Sequence, residues 1–501
     1  MCTRFVHLTC APDVTMFLAF DLGAESGRAV LGRWQRGVLD VRELHRFVNE
    51  PVRQNGSLQW DALRLWFEIR RALDVAASES VASIGVDAWG CDYALVGERG
   101  VLLQNPYHYR DKRTDGVMET VFTRVPAEQI YDITGIQFLS FNTLYQLYAA
   151  CRDTPRLVAA ATSFGTIPDL INFWLTGEMT AEFTNATTTQ FVDARTRTWA
   201  LDLLRELDLP TRILPAIVEP GTIVGALSGD APDALRGTPV VAPACHDTGS
   251  AVAAVSAGGH CAFLSSGTWS LLGTELSAPV ITARARALNF TNEGGVFGTT
   301  RLLKNIAGLW LLQSCRRYWA DQGLHLGYEE LLTLAAEYPV SFRSLFDPDH
   351  ASFLHPRSML TAIADYCRET EQPPPDGPAG YARAIFESLA FKYRVVIESM
   401  ERLTGIPITE VRIVGGGSRN RLLSQFTADC TGRTVVAGPV EASALGNIAM
   451  QMVATGAVAS LAEARQIIER SFPVERFEPI DPDRWNAQYR RFHEYLEPTC
   501  V

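Results

Sequence analysis

The sequence predicts an α/β protein of two lobes built to one design, and three observations predict it. A strand-loop-strand segment, FLAFDLGAESGRAVLGRW at Phe17 to Trp34, has a counterpart about 245 residues later in CAFLSSGTWSLLGTEL at Cys261 to Leu276, and recurrence at such a spacing is the mark of a repeated unit. Between the two lies TPVVAPACHDTGSAVAAV, Thr238 to Val255, an apolar run that stops at His246-Asp247-Thr248 and resumes on small residues. Val240-Val241-Ala242 reads as a buried strand and Gly249-Ser250-Ala251 as a tightly packed helix start, which pins three polar side chains between two buried elements. Finally, a long helical pattern from Gly380 to Leu403 feeds an apolar strand, Val411 to Val414, that ends in three glycines.

Residues 1–15 read as a loose tail before Met16. They hold Arg4 and His7 and meet Pro12-Asp13 early, so they lack the continuous apolar core of a signal peptide. Phe17 to Phe20 is β-prone, Asp21 to Gly27 forms a turn, and Arg28 to Trp34 alternates at period two. A Walker loop or a dinucleotide fingerprint would open a helix, so neither fits. The glycines either let backbone N–H groups face a phosphate or simply close a hairpin. Asp61 to Ser80 carries Leu63, Trp66, Ile69 and Leu73 at helical spacing, and Val81 to Val86 then delivers Asp87, Trp89 and Asp92 to a strand end. That indole suits either a core ring or a ligand platform. Tyr109 to Asp115 alternates in charge and reads as a solvated loop.

Gly135 to Thr143 mixes aromatics with amides, which suits a sugar pocket, because polar groups that orient a ligand need rigid apolar neighbours. Ile167 to Leu175 is helical and closes on Thr176-Gly177, while the hydroxyl-rich Thr184 to Gln190 reads as edge strand or turn. Past the second hairpin, Asn289 to Gly298 is expected as loop. Leu302 to Gln313 is expected as one helix, with Leu309 and Leu312, that aims Asn305 and Gln313 together. Phe346 to His355 and Gln372 to Gly377 are irregular connections. The helix at Gly380 to Leu403 has Ile385, Leu389, Tyr393, Val396 and Met400 along one side and Gly405 as its stop. Gly415-Gly416-Gly417 then lets backbone approach a flat ligand or a phosphate, or serves packing alone. A further helix begins at Leu422.

With 501 residues, 47% hydrophobic and 20% charged, the chain has length for two or three domains. A net charge of −11 offers no attraction to nucleic acid or to anionic membranes. Ten scattered cysteines without a CxxC pair argue against a zinc site or a disulfide framework and for reduced thiols in a cytoplasm. No apolar run reaches the length of a membrane span.

The set FDLGAESGR, HDTGSA, LSSGTWS and IVGGGSRN, in this order and spacing, resembles the FGGY carbohydrate kinases of the actin-like ATPase superfamily, from Met16 to about Ser471. Within that family GIQFLSFNTLYQL, TNATTTQ, NFTNEGG, LKNIAGLWLLQ and GPVEASALGNI resemble the branch that phosphorylates L-rhamnulose at its C1 hydroxyl. The resemblance implies two ribonuclease-H-like lobes with ATP and sugar in the cleft between them. Residues 16–255 would form the sugar and phosphate side, 256–471 the nucleotide side, and 472–501 a C-terminal extension. ATP would be met by Ala24, Glu25, Ser26, Gly27, Arg28, Thr268, Gln313 and Gly416, and the sugar by Gly90, His246, Asp247, Thr248 and Asn305. Asp247 matches the family's catalytic base and Asp21 the carboxylate placed near hydrated Mg²⁺. Two departures stand out. Glu25 occupies a place more often held by a small hydroxyl residue, where a carboxylate repels phosphate unless it turns away or meets a cation. The lysine that many members carry between the equivalents of Pro168 and Asp169 is absent.

Two rival readings remain at this stage: a kinase for another ketose or polyol, and a non-catalytic actin-like regulator or assembling ATPase. A regulator has no need of an acid between the loops, and the chain carries no basic DNA-binding segment.

Overall fold

The computed structural model describes residues 14–256, 258–354 and 356–496. Of the expected tail, residues 1–13 lie outside the described residues, as do His355 and the end of the extension from residue 497.

The first lobe is built on a six-stranded sheet. Its strands are β1 (Thr15–Leu22), β2 (Ser26–Gln35), β3 (Val38–Val48), β4 (Val81–Ala88), β5 (Thr222–Ala226) and β6 (Pro239–Ala242), in the order β5-β6-β4-β1-β2-β3. β1, β2 and β3 form an antiparallel meander, and β4 and β6 run parallel to β1. The second lobe repeats the plan with β7 (Cys261–Ser266), β8 (Trp269–Leu276), β9 (Thr291–Gly294), β10 (Thr300–Ala307), β11 (Glu410–Val414), β12 (Thr434–Ala437) and β13 (Glu475–Phe477). Its order is β9-β10-β8-β7-β11-β12-β13, with β7, β8 and β10 antiparallel and β11 and β12 parallel to β7. The paired hairpins predict two lobes of one design, and the same meander plus two parallel strands in each lobe is the ribonuclease-H-like arrangement that the resemblance implies.

β1 is apolar from Met16 to Phe20 because it is central and covered on both faces. Leu18, Phe20 and Leu22 pack with Leu65, Ile69 and Leu73 of helix α1 (Ala62–Ala76), while Phe17 and Ala19 face the other way. Helix α2 (Ile167–Thr176) adds to the first face, and α3 (Phe183–Thr188) and α4 (Asp247–Ala253) follow along the chain. The second lobe contributes α5 (Trp310–Asp321), α6 (Gly377–Thr404), α7 (Arg421–Thr431) and α8 (Ala442–Ala454). α8 crosses back to cover Phe17 and Ala19 with Leu445 and Ile448. Each such large apolar side chain contributes about 1.5–3 kcal/mol by leaving water. Polar pins fix the register of this seam: Gln451 donates to the Leu18 carbonyl at 3.1 Å and accepts from Ser83 at 2.7 Å, and Asn447 donates to Asp87 at 2.6 Å. At Gly446 an added Cβ would stand 1.7 Å from the Ser250 carbonyl oxygen, so α8 and α4 touch backbone to backbone and a larger residue there would part them.

Four expectations change. Leu302 to Gln313 is not one helix: β10 runs to Ala307, paired to β8, and α5 starts at Trp310. Between them Gly308 passes so close to Trp269 that a Cβ would meet its carbonyl carbon at 2.6 Å, and the Leu309 and Leu312 spacing belongs to the short run after that crossing. Thr184 to Gln190 is mostly the buried helix α3 rather than edge strand. Its β-branched residues are tolerated because their hydroxyls bond back into the turn, Thr187 to the Thr184 carbonyl and Thr188 to that of Asn185. Asn289 to Gly298 contains edge strand β9. Tyr109 to Asp115 is only partly solvated: Lys112 and Asp115 are exposed, but Tyr109, Asp111 and Thr114 are buried. Asp111 accepts from the Leu58 and Arg113 amides, Arg113 donates to Gln146, and the Arg110 guanidinium lies 3.9 Å over the Trp310 ring. Within the C-terminal extension, β13 joins the second sheet, and Trp485 and Phe492 enter that lobe's core. No helix among the described residues is long and apolar enough to cross a membrane.

Candidate active site

The two sheets present the same ends of their central strands to one cavity of about 390 Å³ between the lobes. On the first lobe the β1–β2 turn is tied down by Asn49, whose amide groups donate to the carbonyls of Gly23 and Glu25. Ala24, Glu25, Ser26 and Arg28 line the cavity. Gly27 does not; it lies beneath, where a Cβ would meet the Phe47 ring at 2.2 Å. Arg28 bridges Asp21 at 2.6 Å and Glu441 at 2.5 Å, so it braces the loop to the start of α8. The Glu25 carboxylate does meet partners: Gln313 on α5 donates to it at 3.2 Å and Arg317 stands 4.0 Å away.

On the second lobe Thr268, Gln313 and Gly416 line the same cavity. Leu309 and Trp310 donate their amides to the Gly267 and Thr268 carbonyls, so the first turn of α5 hangs on the β7–β8 turn and carries Gln313 with it. Gly415 has φ +82°, a conformation that favours glycine, while a Cβ at Gly416 would meet nothing within 4 Å. Ser265, Ser266 and Ser443 also line this side. Sequence reading passed over them, although LSSG carried the first two in plain view.

Gly90, His246, Asp247, Thr248 and Asn305 line the cavity as well. At Gly90 a Cβ would meet Thr188 at 2.9 Å, so this glycine lets α3 approach the end of β4. Trp89 is a core ring with an edge in the cavity; its indole N–H, like that of Trp60, donates to buried Asp92. Glu182 accepts from the Cys245 amide at 2.9 Å, and Thr184 accepts from the His246 amide at 3.1 Å, which fixes the backbone just ahead of Asp247. Asp247 is the first residue of α4, after His246 at the N-cap. Its Oδ1 accepts from the Thr248 amide at 2.5 Å and the Thr248 hydroxyl at 3.2 Å, with His246 Nε2 at 3.4 Å. Its side chain is 30% exposed and faces the cavity. Burial raises its pKa; His246 opposes that and Asp21 adds to it. Asn305 is clasped by Gln137, which accepts from both its backbone and side-chain nitrogens, at 2.9 and 3.1 Å. The expected aromatic-amide segment thus reaches the cavity through Gln137, Leu139, Phe141 and Asn142. Cys91, Thr188, Trp269 and Glu293 complete this side. Of these, Glu293 stood in a stretch expected as loop, within the run NFTNEGG that carried the resemblance but assigned it no role.

Residues 16–254 match the N-terminal domain and residues 262–455 the C-terminal domain of the FGGY family of carbohydrate kinases. The chain belongs to this family. A protein of Bacteroides thetaiotaomicron named rhamnulokinase is 45% identical over 95% of this chain and 98% of its own length. One of the same name from Oceanobacillus iheyensis is 41% identical over 92% and 98%. Among solved structures, a gluconate kinase from Lactobacillus acidophilus superposes with a TM-score of 0.80 at 17% identity, covering 96% of this chain and 97% of that one. A xylulose kinase of the same organism gives 0.79 at 17% identity over the same shares. The FGGY fold is therefore a two-lobed frame shared at low identity, and what separates its members lies in the side chains around the cavity.

Proposed function

We propose that this chain transfers the γ-phosphoryl group of ATP to the C1 hydroxyl of L-rhamnulose, giving L-rhamnulose 1-phosphate and ADP, with Asp247 as general base. The observation that carries the reading is Asp247 itself, a carboxylate on the cavity wall between the two hairpin loops, held by Thr248 and His246 and free of any ion pair with Lys or Arg among the described residues. The rhamnulokinase name of the relatives supports the choice of sugar.

Phosphoryl transfer asks little covalent work of a protein, so catalysis rests on alignment and on neutralising charge. In this reading Asp247 orients the C1 hydroxyl and takes its proton, and His246, Thr248, Gly90 and Asn305 hold the sugar. Backbone N–H groups of the Ala24–Ser26 and Gly267–Thr268 turns meet phosphate oxygens, with Arg28, Gln313 and Gly416 toward the nucleotide. Glu25, turned onto Gln313 and Arg317, keeps its charge off the phosphates.

The residues fit a hydrated Mg²⁺. Asp87 Oδ1 is buried without a hydrogen-bond partner beside Asp21 and Asp247, and no three acidic, His or Cys side chains among the described residues form a direct metal cage. Mg²⁺ commonly keeps its waters and needs only one or two carboxylates plus phosphate. Asp21 would hold it through water, and the ion when bound would offset the charge of the phosphate oxygens. This reading places the chain in a cytoplasm; the seven described cysteines are free thiols.

A coupled ADP-release assay across ketoses and polyols tests the assignment. L-rhamnulose should give the highest kcat/KM, because a polar lining held rigidly, as Gln137 holds Asn305, matches one pattern of hydroxyls and rejects another. Equal or better turnover of xylulose or glycerol would remove rhamnulose from the proposal.

A further inference from the structure

The buried carboxylate Glu293 lines the cavity and has no part in the roles given above. It is 5% exposed and sits on edge strand β9, held from behind by Arg301 of β10, a side chain with no exposure at all. Arg301 NH2 and His246 Nδ1 each stand 3.3 Å from Glu293 Oε2, yet at angles that leave this oxygen without a hydrogen bond. Arg301 is anchored elsewhere, its Nε donating to the Gly294 carbonyl at 2.9 Å and its NH2 to His246 at 3.2 Å. Oε2 of Glu293 is itself closed to solvent beside these two groups, so a ligand in the cavity that Glu293 lines can reach only the other oxygen of this carboxylate.

We propose, resting on the sugar-kinase reading of this cavity, that Glu293 is a specificity-determining residue that accepts a hydrogen bond from a secondary hydroxyl of the ketose. Although burial works against ionisation, His246, Arg301 and Asn305 hold the carboxyl below its ordinary range, so it enters the site as an acceptor only. A ketose chain offers hydroxyl donors. The imidazole of His246 lies between the two acids, Nε2 toward Asp247 and Nδ1 toward Glu293. The two carboxylates therefore address different hydroxyls: Asp247 the one that is phosphorylated, and Glu293 one further along the chain. Asn305, whose Nδ2 donates to Gln137, offers the cavity only a neutral amide oxygen as acceptor. A sugar lacking that hydroxyl would leave a carboxylate buried and unsatisfied, which makes the discrimination steep.

The test is a cycle between enzyme and substrate. Wild type and Glu293→Gln are assayed with L-rhamnulose and with its 3-, 4- and 5-deoxy analogues, and sugar binding is measured by calorimetry. A charged hydrogen bond predicts that one deoxy position lowers wild-type kcat/KM by about 10–100-fold. In Glu293→Gln the same deletion should cost under about threefold, with the KM for ATP unmoved. Equal penalties at every position in both proteins would overturn the proposal and leave Glu293 as a counter-ion for Arg301. Should the Gln variant fail to fold, Glu293→Asp keeps the charge beside Arg301 and withdraws it by one methylene. It must show the same selective loss at one position, and a uniform loss would again overturn the assignment. If wild type prefers another ketose, the cycle runs on that ketose's deoxy series. Coupling there keeps Glu293 and discards rhamnulose.

Discussion

The two lobes share a strand plan, yet one group of fully buried acids in the first lobe is met differently from the buried pairs found elsewhere. In the second lobe Asp347 lies 2.6 Å from Lys392, and Glu387 2.6 Å from Arg383, much as Asp21 and Glu68 of the first lobe meet arginines. In the first lobe Asp87, Asp92, Asp169 and Glu182 are buried completely or nearly so, and none has an ion pair among the described residues. They are met by amides, hydroxyls and indoles instead. Burial raises the pKa of all four, with Asp92 and Asp169 brought to about 6. The loops differ in the same sense, for Asp21, Glu25 and Arg28 surround the first hairpin turn while the second offers Ser265, Ser266 and Thr268. One frame thus carries two electrostatic tasks. On the proposed assignment, the first lobe brings carboxylates to the cavity wall and the second brings mainly hydroxyls.

The comparison breaks most sharply at Asp247. Asp247→Asn keeps shape and removes charge and basicity, so kcat should fall by roughly 10²–10⁴ while both ligands still bind. A helix cap would tolerate Asn, but the carboxylate accepts only from its own neighbour Thr248 and not deeper in the helix. Near-normal turnover in a folded Asn variant would return the residue to structure. The pH profile gives a second check. Burial raises the Asp247 pKa in the ligand-free protein, so the acid limb of kcat/KM should lie above the ordinary aspartate range, with rate lost as pH falls through it.

A smaller effect should mark the other side of the cavity. A Cβ at Gly416 would meet nothing within 4 Å, so Gly416→Val should fold normally and project into the space assigned to the nucleotide. The KM for ATP should rise about tenfold or more, near 1.4 kcal/mol, with the sugar KM unchanged. Weaker sugar binding instead would reverse the assignment of sides.

Both hairpins, the strand at Val240, the long helix α6 and the glycine loop at 415 are legible in the sequence because each is set by local periodicity and turn chemistry. Nearly every implied site residue reaches one cavity; Gly27, which supports Phe47, is the exception. What stayed hidden depends on contacts far apart in the chain. The partner of Glu25 is 288 residues away, so no window could show how that carboxylate is turned. Leu302 to Gln313 misleads because a strand and a helix abut at Gly308 and their apolar residues merge into one apparent period. Thr184 to Gln190 misleads because threonine's strand preference assumes exposed hydroxyls, and here they bond within the helix. Glu293 falls in the run NFTNEGG, which carried the resemblance but gave this residue no role; only the arrival of Arg301 and His246 makes it chemically distinctive.

The smallest expected effect concerns Glu182, where the contrast between lobes can be measured without catalysis. Four donors converge on it: the Thr184 amide and hydroxyl and the amides of Asn185 and Cys245. Those bonds favour the ionised form, yet burial prevails and brings the group to about 7. An unfolded glutamate titrates near 4.3, so between about 4.3 and 7 the folded chain holds a proton that the unfolded chain has released. The associated stability is complete below the lower value and is lost as pH rises through the upper one, by up to about 1.4 kcal/mol per pH unit. Glu182→Gln removes this titration. Its melting temperature should start below that of wild type at pH 5, because an amide accepts fewer of the four bonds, and the gap should narrow as pH climbs to 7. Asp92 and Asp169 keep part of the slope in both proteins, so the difference between the two curves is the quantity to read. A gap that stays constant across this window would mean that the four donors hold Glu182 ionised throughout. The first lobe would then stabilise these buried acids as firmly with neutral hydrogen bonds as the second does its own with lysine and arginine.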